Sequence, residues 1–233
     1  MSRTTADFIA DCIMHKPASL ICLPSGESPT GTLQYLVQYG KEGKVNFSQC
    51  KFMGLDEWGG IDTNKEGSTR HYLFTHFLSP LKINSEQYMF FDPNAQDLDE
   101  ECRRIDEYIK NNGPIDVMLV GIGMNGHIGL NEPGCDFNSY SHHGALDAVT
   151  KVTAQKYFSN EQSLEEGLTL GIMNILESRI LLLIANGDKK SEIISKALES
   201  DVSNRIPASI VQKHNSSYVF LDKGAASKLS QYA

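Results

Sequence analysis

The sequence predicts an α/β protein: a single domain with an open, largely parallel sheet and helices on both faces. Short apolar runs recur along the 233-residue chain, and several are apolar on both faces, as strands buried in parallel sheets are. Helical patterns lie between these runs, and strands that alternate with helices are typical of a parallel sheet. Because no linker or repeat divides the chain, we expect one domain over residues 1–233.

Six apolar runs are predicted to form the strands of this sheet. They cover residues 19–24, 51–57, 88–91, 115–123, 179–185 and 217–222. Ligands of open α/β sheets bind beyond the carboxyl ends of the strands. Functional groups are therefore expected in the segments that follow the runs, at residues 24–31, 55–60, 121–134 and 186–190.

Five helical patterns accompany the strands, at residues 4–16, 28–43, 67–80, 97–113 and 187–200. In the second pattern, Ser28 is the predicted N-cap and Pro29 takes the first helical position. The fourth pattern opens with acidic residues and stops at Gly113, as capped helices do.

The composition argues against several classes of partner. The formal net charge is −8 and there is no basic run, so nucleic acid and anionic membranes are poor candidates. No apolar run approaches transmembrane length. Five scattered cysteines without a C-x-x-C pair indicate free thiols and a cytoplasmic protein. No spacing of His, Cys or Asp matches a standard metal site, so we expect no metal.

The segment VGIGMNGHIGLNEPG, residues 120–134, contains the pattern G-x-G-x-x-G. In a dinucleotide site this pattern runs straight into a helix. Here further glycines and Pro133 follow and break any helix, which disfavours that interpretation. We interpret the segment as a sharply bent loop that brings Asn125, His127 and Glu132 to a cleft.

The segment PSGESPTG joins the first strand to a helix and is a candidate anion site. It contains Ser25, Gly26, Glu27 and Ser28, whose free backbone N–H groups can hold a phosphate with help from the helix dipole. A plain capped helix is the alternative interpretation. Lys190 begins another helix after a strand and can reach the same anion as a point charge.

The loop sequence closely resembles the hallmark of the glucosamine-6-phosphate deaminase/isomerase family, G-x-G-x-[DN]-G-H-I-x-x-N-E-P. LPSGESPTGTLQYLV resembles the family's phosphate loop, and LDEW resembles its catalytic aspartate segment. KYF…LTLGIMNIL and ANGDKK resemble its later phosphate contacts, and all these stretches keep their order across residues 20 to 222. The resemblance implies a modified Rossmann-like fold of the sugar-phosphate isomerase type.

The resemblance implies deaminating isomerisation of a 2-amino-2-deoxyhexose 6-phosphate to a ketose 6-phosphate and ammonia, with no organic cofactor. Asp56 would be the enolisation base that moves a proton between C1 and C2. His127 would open the pyranose ring with Glu132, because a histidine titrates in the working range and the carboxylate can orient it. Asn125 stands where some relatives have aspartate, and would orient the imidazole without a full charge.

By the same resemblance, the phosphate of the substrate would bind to residues 25–28, Lys190 and Lys156. Lys156 falls where many relatives have arginine, so the charge is kept while the bidentate fork is lost. Glu27 is unusual beside a phosphate, which its carboxylate would repel, and we expect it to point away.

The segments LDEW, NGHIGLNEPG and RIPAS look more like galactosamine-6-phosphate isomerases than like glucosamine enzymes, which often read MDEY and GFNEP. Galactosamine 6-phosphate is therefore the favoured substrate over its C4 epimer. One alternative is a 6-phosphogluconolactonase-type hydrolase, whose members carry G-H-T-A-S-L-F-P after a similar turn. The other is a non-catalytic sugar-phosphate sensor, although no helix-turn-helix is apparent. A homo-oligomer is left open.

Members of the family usually begin with a strand and a helix before the phosphate loop, whereas a helical pattern starts here at residue 4. We expect either that Met1 is an internal methionine of a longer natural chain or that the fold tolerates the loss of the strand.

Overall fold

The computed structural model describes residues 1–230 of the chain. These residues contain nine strands and seven α-helices. The strands are β1 (Leu20–Leu23), β2 (Lys51–Gly54), β3 (Asp56–Trp58), β4 (Tyr88–Met89), β5 (Val117–Val120), β6 (His142–Ala145), β7 (Glu166–Thr169), β8 (Leu181–Ala185) and β9 (Ser217–Leu221). The helices are α1 (Ser2–His15), α2 (Glu27–Lys41), α3 (Thr69–Leu73), α4 (Leu98–Asn112), α5 (Ala148–Ala154), α6 (Ile172–Leu176) and α7 (Ser191–Glu199). The last three residues of the predicted domain, 231–233, lie outside the described part.

All six predicted strand regions contribute to one parallel sheet, in the order β4-β2-β1-β5-β8-β9. Every neighbouring pair in this order is parallel. The strands at its centre, β1, β5 and β8, are buried along their whole length. The predicted open parallel sheet is therefore confirmed.

Helices cover both faces of this sheet. Since successive side chains of a strand point to opposite faces, each central strand contributes to two cores. Leu182 packs in the core formed with α1, α2 and α3, and Leu183 packs in the core formed with α4, α6 and α7. Truncating a buried leucine to alanine typically costs about 2–5 kcal/mol, because the cavity closes only in part. The helices predicted from sequence at residues 4–16, 97–113 and 187–200 are found as α1, α4 and α7.

A second, antiparallel sheet of three strands, β3-β7-β6, was not predicted. The predicted strand over residues 51–57 is wrong in its second half, because β2 ends at Gly54 and Asp56 begins β3 in the other sheet. The backbone of Leu55 joins the two sheets: its N–H donates to Leu23 and its carbonyl accepts from Leu170. Trp58 lies in a third, small core beneath this sheet.

Helix α2 begins at Glu27, two residues before Pro29, the predicted first helical position. Gly26 is the N-cap, with a φ of 112° that favours glycine, and no side chain caps the helix. The prediction that Ser28 is the cap is therefore wrong, and its hydroxyl instead donates to Asn186 Oδ1 at 2.7 Å. The acidic start of α4 behaves as expected, because the Asp97 carboxylate accepts from the backbone N–H of Glu100.

Candidate active site

The segments that follow the strands meet at the carboxyl edge of the large sheet. The bond from Ser28 to Asn186 joins the segment after β1 to the segment after β8. The ammonium group of Lys190 donates to the carbonyl of Ile122, which joins the segment after β8 to the loop after β5. Three of the predicted segments therefore lie together at one edge.

The small sheet brings the remaining segment to the same place. Asp56 lies opposite Thr169 in the β3–β7 ladder. The hydroxyl of Thr169 accepts a hydrogen bond from the backbone N–H of Leu130, in the loop after β5, at 3.0 Å. The strand that carries Asp56 is thus tied to the loop that carries His127.

Four side chains form what we call the imidazole cluster: Asn125, His127, Glu132 and Thr150. His127 Nδ1 lies 2.9 Å from Thr150 Oγ1 and 3.3 Å from Glu132 Oε2. The amide nitrogen of Asn125 donates to Glu132 Oε2 at 2.8 Å and to Thr150 Oγ1 at 3.3 Å. The structure therefore brings together the three residues predicted from the loop sequence.

Thr150 was missed by sequence reasoning, because it lies on α5, 18 positions after Glu132. Only 2% of its surface is exposed, and a threonine in a short helix carries no signal of its own. A search for hydroxyl groups near the end of the loop could not have separated it from neighbouring threonines.

The glycines of the loop make room for the imidazole ring. A Cβ on Gly123 would lie 2.3 Å from His127 Nε2, so the ring packs directly on the backbone there. Gly126 has a φ of 89°, which side-chain-bearing residues rarely adopt. The G-x-G-x-x-G pattern therefore shapes a loop around a histidine, in agreement with the interpretation as a bent loop.

The carboxylate of Glu132 is held in its charged form. Burial opposes this, but hydrogen bonds from His127, Thr150 and Asn125 and the proximity of the imidazole outweigh it and lower the pKa of Glu132. Its other oxygen, Oε1, is buried and has no hydrogen-bond partner among residues 1–230. This oxygen can accept a hydrogen bond from a hydroxyl group of a ligand.

Asp56 and Glu57 are neighbours on β3, and their carboxyl groups have different surroundings. Burial, followed by the nearby charge of Glu57, raises the pKa of Asp56 to about 7. Glu57 is 1% exposed and points inward. Its carboxylate accepts hydrogen bonds from the backbone N–H groups of Trp58, Thr69 and Arg70 and from the hydroxyl of Ser68.

Glu57 is therefore a structural residue that anchors the start of α3, where backbone N–H groups would otherwise lack acceptors. Asp56 keeps part of its surface exposed, although its carboxyl group lies deep enough for burial to raise its pKa. No group in residues 1–230 donates a hydrogen bond to this carboxyl group. Of the two acids in the LDEW segment, Asp56 is the one available for proton transfer. A carboxyl group with a pKa near neutrality suits a general base.

The second group of side chains, which we call the anion cluster, consists of residues 25–28, Lys156 and Lys190. The first N–H groups of α2 have no intrahelical acceptor, and no side chain caps them. The carbonyl of Gly26 accepts from the hydroxyls of Thr30 and Tyr72, which fixes the turn. An anion at this terminus would meet both N–H donors and the positive end of the helix dipole.

Lys190 is the more buried of the two cations. Burial, together with the nearby charge of Lys156, lowers the pKa of Lys190 to about 8, although the carboxylate of Glu27 acts in the opposite direction. The structure therefore brings Lys190 and Lys156 close to each other and to the carboxylate of Glu27. A bound dianion would stabilise both ammonium groups.

Lys156 and Glu27 form a salt bridge with 2.7 Å between Nζ and Oε2. Both side chains are well exposed, at 47% and 71%. The expectation that Glu27 points away from the site is wrong, because its carboxylate pairs with Lys156, one of the two cations. Lys156, which stands where many relatives have arginine, is thus in direct contact with the carboxylate that is unusual beside a phosphate.

No group of three His, Cys, Asp or Glu side chains in residues 1–230 is arranged to hold a metal ion. Within the same residues, no helix has both the length and the apolar character needed to cross a membrane.

Carboxyl and imidazole side chains near an uncapped helix terminus, at the carboxyl edge of a parallel sheet, fit an enzyme of the sugar-phosphate isomerase type. The chain belongs to the family of glucosamine-6-phosphate isomerases and 6-phosphogluconolactonase, which matches residues 1–220. The resemblance found in the motifs and the predicted fold type are both confirmed.

Individual relatives agree with this assignment. The glucosamine-6-phosphate deaminase of Clostridium acetobutylicum is 34% identical over 230 residues, which cover 98% of this chain and 95% of that protein. The solved structure of a monomeric glucosamine-6-phosphate deaminase matches with a TM-score of 0.94 at 34% identity, over 97% of this chain and 95% of that one. The 6-phosphogluconolactonase of Thermotoga maritima, at 16% identity, shares only the fold, with a TM-score of 0.75 over 94% of both chains.

Proposed function

We propose that this enzyme converts a 2-amino-2-deoxyhexose 6-phosphate and water to a ketose 6-phosphate and ammonia. One observation carries the proposal: the strand of Asp56 is tied to the loop that holds His127 and Glu132, at the edge that carries the anion cluster. Opening a sugar ring and moving a proton between two carbons are distinct steps, and each needs its own acid–base group.

His127 and Glu132 are proposed to open the pyranose ring. His127 takes the proton of the anomeric hydroxyl and returns it to the ring oxygen, as the C1–O5 bond breaks and the C1 carbonyl forms. The charged carboxylate of Glu132 stabilises the imidazolium that exists between the two transfers. Asn125 has no charge to contribute, and it orients Glu132 through a hydrogen bond.

Asp56 is proposed to remove the proton from C2 of the open-chain sugar and deliver it to C1. The product of this step is an imine at C2, which water hydrolyses to the ketone and ammonia. A pKa of about 7 supports this role, because near neutral pH the carboxyl group can both accept and return a proton.

The anion cluster is proposed to hold the phosphate of the substrate. Phosphate anchoring supplies binding energy far from the reacting carbons and fixes the position of the sugar. Backbone N–H groups of residues 25–28 and the ammonium of Lys190 support this role most strongly. Lys156 contributes a second charge, which is already shared with Glu27 in the free enzyme.

The configuration at C4 of the substrate remains a prediction. The segments LDEW, NGHIGLNEPG and RIPAS favour galactosamine 6-phosphate, whereas the two relatives with 34% identity are named glucosamine-6-phosphate deaminases. We propose the aminosugar 6-phosphates as the substrate class, and kcat/KM on each epimer decides the preference. The possible homo-oligomer also stays a prediction, and the matching structure is named as that of a monomeric deaminase.

Ammonia release tests the proposal, with glucosamine 6-phosphate and galactosamine 6-phosphate as substrates and 6-phosphogluconolactone as the control. We expect ammonia from at least one aminosugar phosphate and no lactone hydrolysis. Hydrolysis of the lactone without ammonia release would favour the hydrolase alternative, which needs no carbon base at Asp56. Binding without turnover of any of the three compounds would favour the sensor.

A further inference from the structure

The hydroxyl of Thr150 contacts several members of the imidazole cluster. It enters the cluster from α5, whose start is capped by the carboxylate of Asp147, and is 2% exposed. Its single hydroxyl lies within hydrogen-bond distance of His127 Nδ1 and the amide nitrogen of Asn125. The same hydroxyl lies close enough to Glu132 to help lower the pKa of that carboxyl group.

The hydrogen-bonding capacities of these groups fix most of the proton positions. The backbone N–H of His127 donates to the Asn125 side-chain oxygen, so the amide nitrogen of Asn125 faces the cluster and acts as a donor. The carboxylate of Glu132 can only accept. Without a proton, His127 Nδ1 would set its lone pair against a carboxylate oxygen 3.3 Å away.

His127 Nδ1 therefore carries a proton, and its nearest acceptor is Thr150 Oγ1 at 2.9 Å. The threonine hydroxyl can accept from both His127 and Asn125, because its oxygen has two lone pairs. With Nδ1 protonated, the neutral ring has its lone pair on Nε2, the nitrogen that lies against Gly123.

We propose that Thr150 is a positioning residue that holds His127 as the Nδ1–H tautomer and so leaves Nε2 ready to accept the proton of the anomeric hydroxyl. This inference rests on the proposed function for its kinetic consequence, although the tautomer itself does not depend on turnover. Glu132 alone is a weaker anchor for Nδ1–H, because it lies farther away and also accepts from Asn125.

Kinetics of Thr150→Val test the proposal, because valine keeps the shape of the side chain and removes the hydroxyl. We expect kcat on the cyclic substrate to fall about 10-fold, as for the loss of one hydrogen bond, while turnover of an acyclic analogue stays unchanged. Thr150→Ser should restore kcat to within about 3-fold, since it returns the hydroxyl. The matched control is Thr153→Val on the same helix, whose hydroxyl bonds only to backbone carbonyls.

The proposal is overturned if Thr150→Val slows the cyclic and acyclic substrates equally, if it slows neither, or if serine does not rescue. If Thr150→Val does not fold, Thr150→Ala replaces it in the same comparison. These results need an active enzyme, so a second measurement is made on the free protein.

Nitrogen-15 NMR of histidine-labelled protein reads the tautomer directly, because protonated and unprotonated ring nitrogens differ in chemical shift. The His127 signals are assigned by their loss in His127→Gln. At a pH at which the ring is neutral, we expect the Nδ1–H form in the wild type and a shift toward Nε2–H in Thr150→Val. An Nε2–H wild type, or an unchanged variant, overturns the proposal. A protein that releases no ammonia but gives the expected spectra refutes the proposed function and not this inference.

Discussion

The candidate site has two parts that are built in different ways: the imidazole cluster, which we call the proton-transfer side, and the anion cluster, which we call the anion side. On the proton-transfer side, His127 and Glu132 expose only 18% and 13% of their side chains, and every member of the imidazole cluster bonds to another. On the anion side, Lys156 and Glu27 are largely exposed and bond mainly to each other.

This difference has consequences for catalysis. A buried network with fixed proton positions resists rearrangement, so changes to it should appear in kcat. An exposed ion pair is screened by solvent and salt and can exchange one anion for another at little cost. Changes on the anion side should therefore appear mainly in KM.

The largest effect is expected for Asp56→Asn, which keeps the shape of the side chain and removes its basicity. A positioned base typically contributes about 10²–10⁴-fold, and kcat should fall by that factor with substrate binding nearly intact. Solvent deuterium at C1 of the ketose product should decrease in parallel. Since the pKa of Asp56 is raised to about 7, wild-type activity should decline below neutral pH, and the variant should lack this decline.

The matched control for this change is Asp62→Asn, which removes a carboxylate from an exposed turn of the same segment. A normal kcat in Asp56→Asn would show that Asp56 is not the base that removes the proton from C2. It would then favour the hydrolase alternative.

His127→Gln should lower kcat on the cyclic substrate by about 10²-fold, because a general acid–base group is lost. Some turnover should survive, since sugars open spontaneously at a slow rate. An acyclic analogue that needs no opening should rescue His127→Gln and should not rescue Asp56→Asn. His142→Gln, on strand β6, is the control. Rescue of both variants by the analogue would show that our division of roles is wrong.

The proton-transfer side was largely predictable from sequence. Asn125, His127 and Glu132 lie within eight residues, and the glycines around them indicate a loop that approaches a ligand. Thr150 escaped prediction because it reaches the cluster from a helix of seven residues whose sequence has no distinctive pattern. The small sheet escaped for a related reason: β6 reads HHGA and shows no apolar alternation.

The anion side was predictable as a set of residues but not as an arrangement. The sequence of the turn after β1 indicates a helix terminus, but it does not identify the cap. Gly26 is the N-cap of α2, and the hydroxyl of Ser28 donates to Asn186 instead. The pairing of Glu27 with Lys156 joins positions 129 residues apart, and no local pattern predicts such a contact.

Lys190→Met should raise KM by about 10- to 100-fold with a smaller change in kcat, because a charge-assisted bond to phosphate is lost. The pKa of Lys190 is lowered to about 8, so its charge is lost as the pH rises through that value. Wild-type kcat/KM, which reports the free enzyme, should therefore fall above pH 8. Lys190→Arg should keep kcat/KM flat there, since arginine stays protonated.

Lys189→Met is the control for this prediction, because it removes a neighbouring charge that the structure does not place in the anion cluster. If Lys189→Met raised KM as much as Lys190→Met, the assignment of the phosphate contact to Lys190 would fail.

The smallest effect is expected for Glu27→Gln. In the free enzyme the Glu27 carboxylate pairs with Lys156, and it would repel a bound phosphate. Removing its charge should therefore lower KM about 2- to 5-fold, as expected for the loss of an exposed ion pair. The inhibition constant of inorganic phosphate should fall by a similar factor, and kcat should not change. Glu161→Gln, elsewhere on the surface, controls for net charge. A rise in KM would mean instead that Glu27 holds Lys156 in place for the substrate, and the anion side would then be as preorganised as the imidazole cluster.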